Sequence, residues 1–407
     1  MTNYRVLVLF LLSSILAACS PKLRKLPVQP VKTVPKESIP PVEVKPKPVA
    51  KFTEANISVL IPFNLNRLNL QTATKAQLER ADMAIDFYQG VKMGIDSAAS
   101  FGLNFRINVY DTREDNSQLA SLTSKETLKN SNLIIGPVFP ESLKYLTSFA
   151  IANDLPVISP LAASKPSEFN NPNLISIVNH IDQHGEKIAG YIGAKYQAST
   201  SIVVLINPKK TDDEEFASPI RKFLKQRFPN LIVQEFTSAY AFETRMIKGK
   251  KYAIVVCSSD MGFVGPTLDK LYKLSKLKPN DYTLSVFGHP NWMKQNYNVE
   301  HLQTLNTIIG TSYLVNYKEL NVINFVKKYR SNFNYEPSEY SFKGFDIGFY
   351  FGKLIAKHGR DYLDFLTKEK YKGLHNSFSF VYDPLYGYAN RDLMLLQYRN
   401  LTLNLIN

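Results

Sequence analysis

The chain is 407 residues long, with 44% hydrophobic residues, two cysteines and 49 Lys+Arg against 35 Asp+Glu. That length and apolar content provide for two or three buried cores and exclude an intrinsically disordered chain, and so few cysteines exclude a disulfide-built scaffold. The net charge of +14 raises the question of a polyanionic partner, which turns on whether the charge is gathered in one patch or spread.

The N-terminus answers part of that question. Residues 1–18 carry one basic residue, Arg5, then an apolar run from Val6 to Leu12. This stretch is too short for a permanent membrane span and has the layout of a cleaved export signal. Its end, Leu16-Ala17-Ala18-Cys19, resembles the lipobox of bacterial lipoproteins. The resemblance implies that Cys19 becomes the first mature residue and carries the lipid that holds the protein to a membrane. Cys257 then has no disulfide partner.

Residues 19–55 are expected to form a tether. Pro21, Pro27, Pro30, Pro35, Pro40, Pro41, Pro46 and Pro48 alternate with Val and Lys, so no periodic apolar face can form and the chain favours an extended, polyproline-like course. At about 3.1 Å per residue such a segment can hold a folded body roughly 100 Å from its anchor. Over residues 20–51, eight basic residues against two acidic ones give +6, which with Arg5 set aside leaves +7 for the rest of the chain. Without a zinc-finger spacing or an aromatic RNA-binding motif in that part, a nucleic-acid partner is not expected.

From Asn56 the pattern alternates strand and helix. Strands are expected at Ile57–Phe63, Phe105–Tyr110, Leu133–Ile135, Pro156–Pro160 and Leu174–Val178, with helices near 85–100, 116–128 and 142–153. These continuous Ile/Val/Leu runs predict parallel strands covered by helices on both faces. The rhythm restarts with a helix capped by Asp182 and strands at 201–206, 231–236, 252–257, 283–287 and 308–314, interleaved with helices at 214–228 and 266–277. Two α/β lobes follow, lobe 1 at about 56–179 plus a returning helix at 338–358, and lobe 2 at about 180–337. C-terminal strands occupy 359–407. The late return makes a hinge between the lobes.

These residues resemble the type I periplasmic-binding fold, the family of leucine/isoleucine/valine-binding proteins. The matching stretches are Val59-Leu60-Ile61-Pro62-Phe63, Phe87-Tyr88-Gln89-Gly90-Val91, Val109-Tyr110-Asp111-Thr112, Ile134-Ile135-Gly136-Pro137 and Tyr340-Ser341-Phe342-Lys343-Gly344-Phe345-Asp346, with Tyr371-Lys372-Gly373 and Val381-Tyr382-Asp383 towards the end. The order of the pieces is more specific than any one of them, and together they extend over 56–400.

In that fold, ligand groups come from loops at the carboxyl ends of the parallel strands. The candidates are Asn64, Arg67, Ser142, Ala162 and Ser164 in the first lobe and Ser258, Asp260, His289 and Asn291 in the second. Amino-acid-binding relatives place a hydroxyl after the Gly-Pro-like turn and an Ala-Thr pair after the fourth strand. Here Pro140 and Ala163 stand at those places, which degrades the clamp for an amino acid's charged ends. The segment Asn64–Ala84 is a long polar insertion that would serve either as a lid or as a surface excursion.

Catalytic and metal patterns are weak. His180 and His184 have metal-like i, i+4 spacing, but a helix cap between them and the lack of a third ligand favour a satisfied pair. Cys257 ends an apolar strand and is expected to be a buried thiol, while Trp292 and Phe263 favour packing over ligand stacking. The run Asp212-Asp213-Glu214-Glu215 is expected to stabilise a helix N-terminus and face water. No catalytic residue, metal or cofactor is assigned. Two functions fit: binding of a small polar solute, amino-acid-like or derived from the cell wall, for a permease or sensor, or regulation of an envelope protein. The outer-membrane lipoprotein activators of penicillin-binding proteins, which act on cell-wall synthases, resemble the second case in combining a lipobox with this fold. Either reading places the chain on the periplasmic face of the envelope, with the outer membrane preferred.

Overall fold

The computed structural model describes residues 52–69, 71–277 and 279–406, so the expected signal, Cys19 and nearly all of the tether lie outside the described residues. The first lobe opens with β1 (Glu54–Ile61), β2 (Asn104–Asp111), β3 (Leu133–Ile135), β4 (Val157–Ser159) and β5 (Leu174–Ser176). The second repeats the scheme with β6 (Ser201–Ile206), β7 (Ile232–Phe236), β8 (Lys251–Val256), β9 (Thr283–Gly288) and β10 (Ile308–Thr311). Then come β11 (Tyr371–Lys372), β12 (Ser377–Phe378), β13 (Phe380–Asp383), β14 (Gly387–Asn390), β15 (Met394–Arg399) and β16 (Thr402–Ile406). The principal helices are α1 (Lys75–Ala98), α2 (Asn116–Thr123), α3 (Pro140–Ala152), α4 (Ile181–Lys195), α5 (Thr211–Arg227), α6 (Met261–Leu277), α7 (Leu320–Phe333) and α8 (Glu339–His358).

Each lobe is built on a seven-stranded sheet, ordered β13-β14-β5-β4-β3-β1-β2 in lobe 1 and β16-β15-β10-β9-β8-β6-β7 in lobe 2. The parallel strands therefore follow one doubly wound order in both, with the ligand-prone crevice beyond their carboxyl ends. Burial explains why the inner strand sequences, such as those of β1, β6 and β8, are apolar without alternation, whereas the edge strands β2 and β7 carry polar residues. Along β1, Ile57, Val59 and Ile61 enter the core beneath α1 and α8, while Leu60 enters the core that holds Leu119 of α2 and Leu143 of α3. Both faces are dry, as expected of a parallel sheet.

Three element starts differ from the sequence expectation. β1 starts at Glu54 and buries Ala55, so the folded body takes in the last residues assigned to the tether. Thr74 and Gln77 form a capping box that starts α1 at Lys75, which makes the latter half of the expected 64–84 insertion the opening turns of a helix. The helix after the first crossing is capped by His180, whose N–H donates to Gln183 Oε1 at 3.0 Å, and Asp182 falls in its first turn.

The chain passes between the lobes at 177–181, 311–320 and 390–394. The second passage comes before α7, not at residue 337. Val322, Phe325, Val326 and Tyr329 of α7 pack on Met93 of α1 and Phe342 of α8, because these apolar faces have no other cover. The C-terminal strands do not form one unit either: β14 extends lobe 1 parallel to β5, and β15 extends lobe 2 antiparallel to β10.

Candidate functional site

The first two passages border a cleft of about 500 Å³ at the junction of the lobes. Lobe 1 contributes Leu161 and Ala163 from the loop after β4 and Lys343 from α8. Lobe 2 contributes His184, Asp212, Glu215, Ser259 and the turn after β9 that carries His289, Asn291 and Lys294. Thr311, Ser312, Tyr313 and Asn376 form its hinge side.

A continuous polar network backs the cleft. His184 Nδ1 meets Gly310 O at 3.2 Å and its Nε2 meets Ser312 Oγ at 3.3 Å. Asn376 Nδ2 donates to Ser312 O at 3.2 Å, while Asn376 Oδ1 lies 2.6 Å from Nδ1 of His375, whose ring stacks on Tyr313 at 4.6 Å. Burial pushes the His184 imidazole down to about 4; His289 is also pushed to about 4, by burial and by the neighbouring His184. Both rings are therefore neutral at physiological pH. Burial also lowers the Lys343 ammonium, although its partner Glu339 opposes this. Burial alone would raise the Glu339 carboxyl; the charge and hydrogen bond of Lys343 outweigh it, and the net shift is downwards.

Asn390 closes the hinge. Its Nδ2 donates to Ile177 O at 3.2 Å and Ser377 O at 3.0 Å, and its own carbonyl accepts from Asn179 Nδ2 at 2.8 Å and Gln183 Nε2 at 2.9 Å. Asp346, fully buried on α8, accepts from the amides of Leu374, His375 and Asn376, each at 2.8 Å. A Cβ on Gly373 would lie 2.4 Å from the Asp346 carboxyl carbon. The Asp and Gly noted in the sequence thus hold the β11–β12 hairpin against α8 beside the hinge.

Of the nine candidate residues, His289 and Asn291 line the cleft. Ala162 turns into the core of lobe 1 while its neighbours Leu161 and Ala163 face the cleft. Ser164 is partly exposed and is not part of the lining, and Ser142 is buried within α3. Ser258 is buried, its Oγ accepting from the Asp260 amide and its carbonyl accepting from Trp292 Nε1, whereas the adjacent Ser259 reaches the cleft. Asp260 pairs with Lys210 at 2.7 Å. Asn64 and Arg67 line a separate hollow of about 150 Å³ with Gln77, Arg80 and Glu114. In extended loops adjacent side chains point opposite ways, so a one-residue difference moves a group from cleft to core.

The acidic run also divides. Asp212 and Glu215 line the cleft, Asp213 is buried and Glu214 pairs with Arg221 at 2.8 Å, so the run does not simply face water. His180 and His184 share no ligand geometry, and among the described residues no group of three or more His, Cys, Asp or Glu is placed for a metal. Cys257 is fully buried and burial pushes its thiol up, while Trp292 packs in the core of lobe 2. Sequence reasoning missed several lining residues, among them Lys294, Ser312, Asn376 and, from α8, Lys343. The signal of Lys343 was a lysine within the apolar first half of α8, well ahead of Lys353 and Lys357 near the helix end, where burying a charge is costly.

No family model matches the chain, and no curated protein matches it. Among solved structures it is similar to a protein of branched-chain amino acid ABC transport type from Rhodospirillum rubrum, with a TM-score of 0.62, 16% identity and coverage of 87% of this chain and 100% of that one. It is also similar to a leucine-complexed ABC transporter substrate-binding protein from Desulfitobacterium hafniense, at TM-score 0.52 and 12% identity over 87% and 100% of the two chains. A third is full-length LpoA from Haemophilus influenzae, at TM-score 0.55 and 11% identity, covering 88% of this chain and 59% of that one. Its separately solved C-domain is described as a regulator of PBP1A. With its two doubly wound lobes and returning helix, this chain has the type I periplasmic-binding fold. The fold is one of binding and regulatory proteins in these neighbours. Among the described residues no helix is long and apolar enough to cross a membrane.

Proposed function

We propose that this protein is a non-catalytic lipoprotein of the bacterial envelope that binds a small polar solute between its lobes, for uptake through a permease or for sensing. The observation that carries this reading is the cleft of about 500 Å³, lined by charged and hydrogen-bonding side chains drawn from both lobes. A ligand seated there touches both bodies and favours their closure. Cys19 would hold the chain to the outer membrane and the tether would set its reach. Amino acids, short peptides and wall fragments are the solutes to screen against the full-length chain. One of them raises the melting temperature, and Ala163→Trp, which fills the cleft from an exposed loop, removes the rise without unfolding the protein. No rise from any solute would overturn the reading.

A second reading, regulation of a cell-wall synthase, draws on Pro140 and Ala163 standing where hydroxyls would clamp an amino acid and on the similarity to LpoA. Cross-linking in cells that recovers a synthase, together with a silent solute screen, would favour it.

A further inference from the structure

Two like charges from opposite lobes meet in the cleft. Lys343 stands on α8 of lobe 1, and Lys294 ends the short turn Pro290–Lys294 of lobe 2, where its charge acts on Lys343. The Lys343 side chain is only 13% exposed, and its one carboxylate partner is Glu339, four residues earlier on the same helix. An ammonium has three donors, so this pairing leaves two unspent. What otherwise surrounds the group is aromatic: the rings of Tyr313 and Tyr340 lie 5.1 and 5.6 Å from Nζ. Lys294 is exposed and takes part in none of the ion pairs among the described residues. His289 adds a third donor: its Nδ1 accepts from the Asn291 amide at 3.1 Å, which leaves the proton of the neutral ring on Nε2.

Glu339 pairs with Lys343 and also feels Lys294, but one carboxylate against two ammonium groups leaves a net positive charge that opposes closure, and a further anion between them turns that opposition into attraction. We propose that the cleft takes a small solute bearing a carboxylate or phosphate group, gripped between Lys343 of lobe 1 and Lys294 of lobe 2, so that the anion itself draws the lobes together. This rests on the cleft reading above and specifies the charge of its ligand. It moves anion recognition from the loops after β3 and β4, where the sequence pointed, to α8 and the turn after β9. Asp212 and Glu215, the acidic members of the lining, select against a polyanion and favour a single anionic group on a neutral or cationic remainder.

The test uses the full-length chain at low ionic strength, with succinate and inorganic phosphate as separate probes and succinamide as the uncharged control, followed by calorimetry and melting temperature. At least one anion binds saturably and more tightly than succinamide, and the better of the two identifies the carboxylate or phosphate chemistry. Lys294→Gln and Lys343→Gln each weaken it about tenfold or more, whereas Lys328→Gln on α7 leaves it unchanged. Lys294 is exposed, so its variant keeps the fold and decides the matter even where Lys343→Gln does not fold. Unchanged anion affinity in Lys294→Gln overturns the proposal. So does succinamide binding as tightly as succinate; if Ala163→Trp abolishes that binding, the cleft reading survives and only the anion assignment falls. Silence from these probes while an uncharged solute binds the cleft has the same meaning, and silence from every solute overturns both.

Discussion

The two lobes share a strand order but close their helical layers in different ways. In lobe 1, α1 meets α8 backbone to backbone: a Cβ on Gly90 would lie 2.0 Å from Ser341 O, and one on Gly344 2.1 Å from Phe87 O. Gly94 and Gly348 continue the contact one turn further along each helix. In lobe 2, α4 meets α5 through side chains, and a Cβ on Gly185 would come within 3.1 Å of Ile220 Cγ1 and Pro219 Cγ. The difference follows from chain order. α4 leads directly into β6, whereas α8 returns from far along the sequence and is fixed to lobe 1 by its own contacts. Backbone contact over glycine leaves few alternative positions for that helix, and α8 is the element that carries Lys343 to the cleft and Asp346 to the hinge hairpin.

The same substitution in the two seams tests this contrast. Gly344→Ala sets a methyl group against a carbonyl oxygen that cannot move without parting the helices, and it should cost about 3 kcal/mol or more in a denaturant titration. A loss no greater than that of its lobe 2 counterpart would break the comparison. Next in size is the pH response of the cleft. His184 and His289 stay neutral in the fold down to about pH 4, whereas in the unfolded chain an imidazole takes its proton near 6.5. Their contribution is therefore complete above 6.5 and is lost as the pH falls from 6.5 towards 4, at up to about 1.4 kcal/mol per pH unit for each ring. Melting curves across that window should show the fall, and His184→Gln should flatten it; an unaltered slope would show that the ring is accessible to protons.

Smaller effects sharpen the picture. Gly185→Ala should change stability by about 1 kcal/mol or less, because its nearest neighbours, Ile220 Cγ1 and Pro219 Cγ at 3.1 Å, need give only slightly and helix propensity improves. Lys165 of lobe 1 and Asp182 of lobe 2 pair at 2.8 Å across the lobes, both partly exposed. Lys165→Met should alter stability by less than about 1 kcal/mol, yet shift the open and closed populations seen by small-angle scattering. Scattering profiles that superimpose would remove this pair from any role in closure.

Much of the fold was legible because unbroken apolar runs such as Ile202–Ile206 and Tyr252–Val256, bounded by polar residues, fit doubly covered strands. The site was legible by region and not by residue. The turn after β9, marked by the end of its strand, brings His289 and Asn291 to the cleft lining. Ala162 and Ser258 face the core and their immediate neighbours face the cleft, since nothing in a loop sequence without period sets the phase of its side chains.

The sequence alone determined the parallel α/β order, the restart that makes two lobes, and a sharply different, proline-rich N-terminal stretch holding nearly half of the net charge. These are local properties: composition and periodicity act over a few residues and need no partner. Only the tertiary structure decided that α7 belongs with lobe 1, that the last strands are divided between the sheets, and that Lys343 and Lys294 face one cleft. Each of those depends on which surfaces meet after the chain has crossed between the lobes. Burial and charge fix that meeting in space, where distance along the chain carries no information.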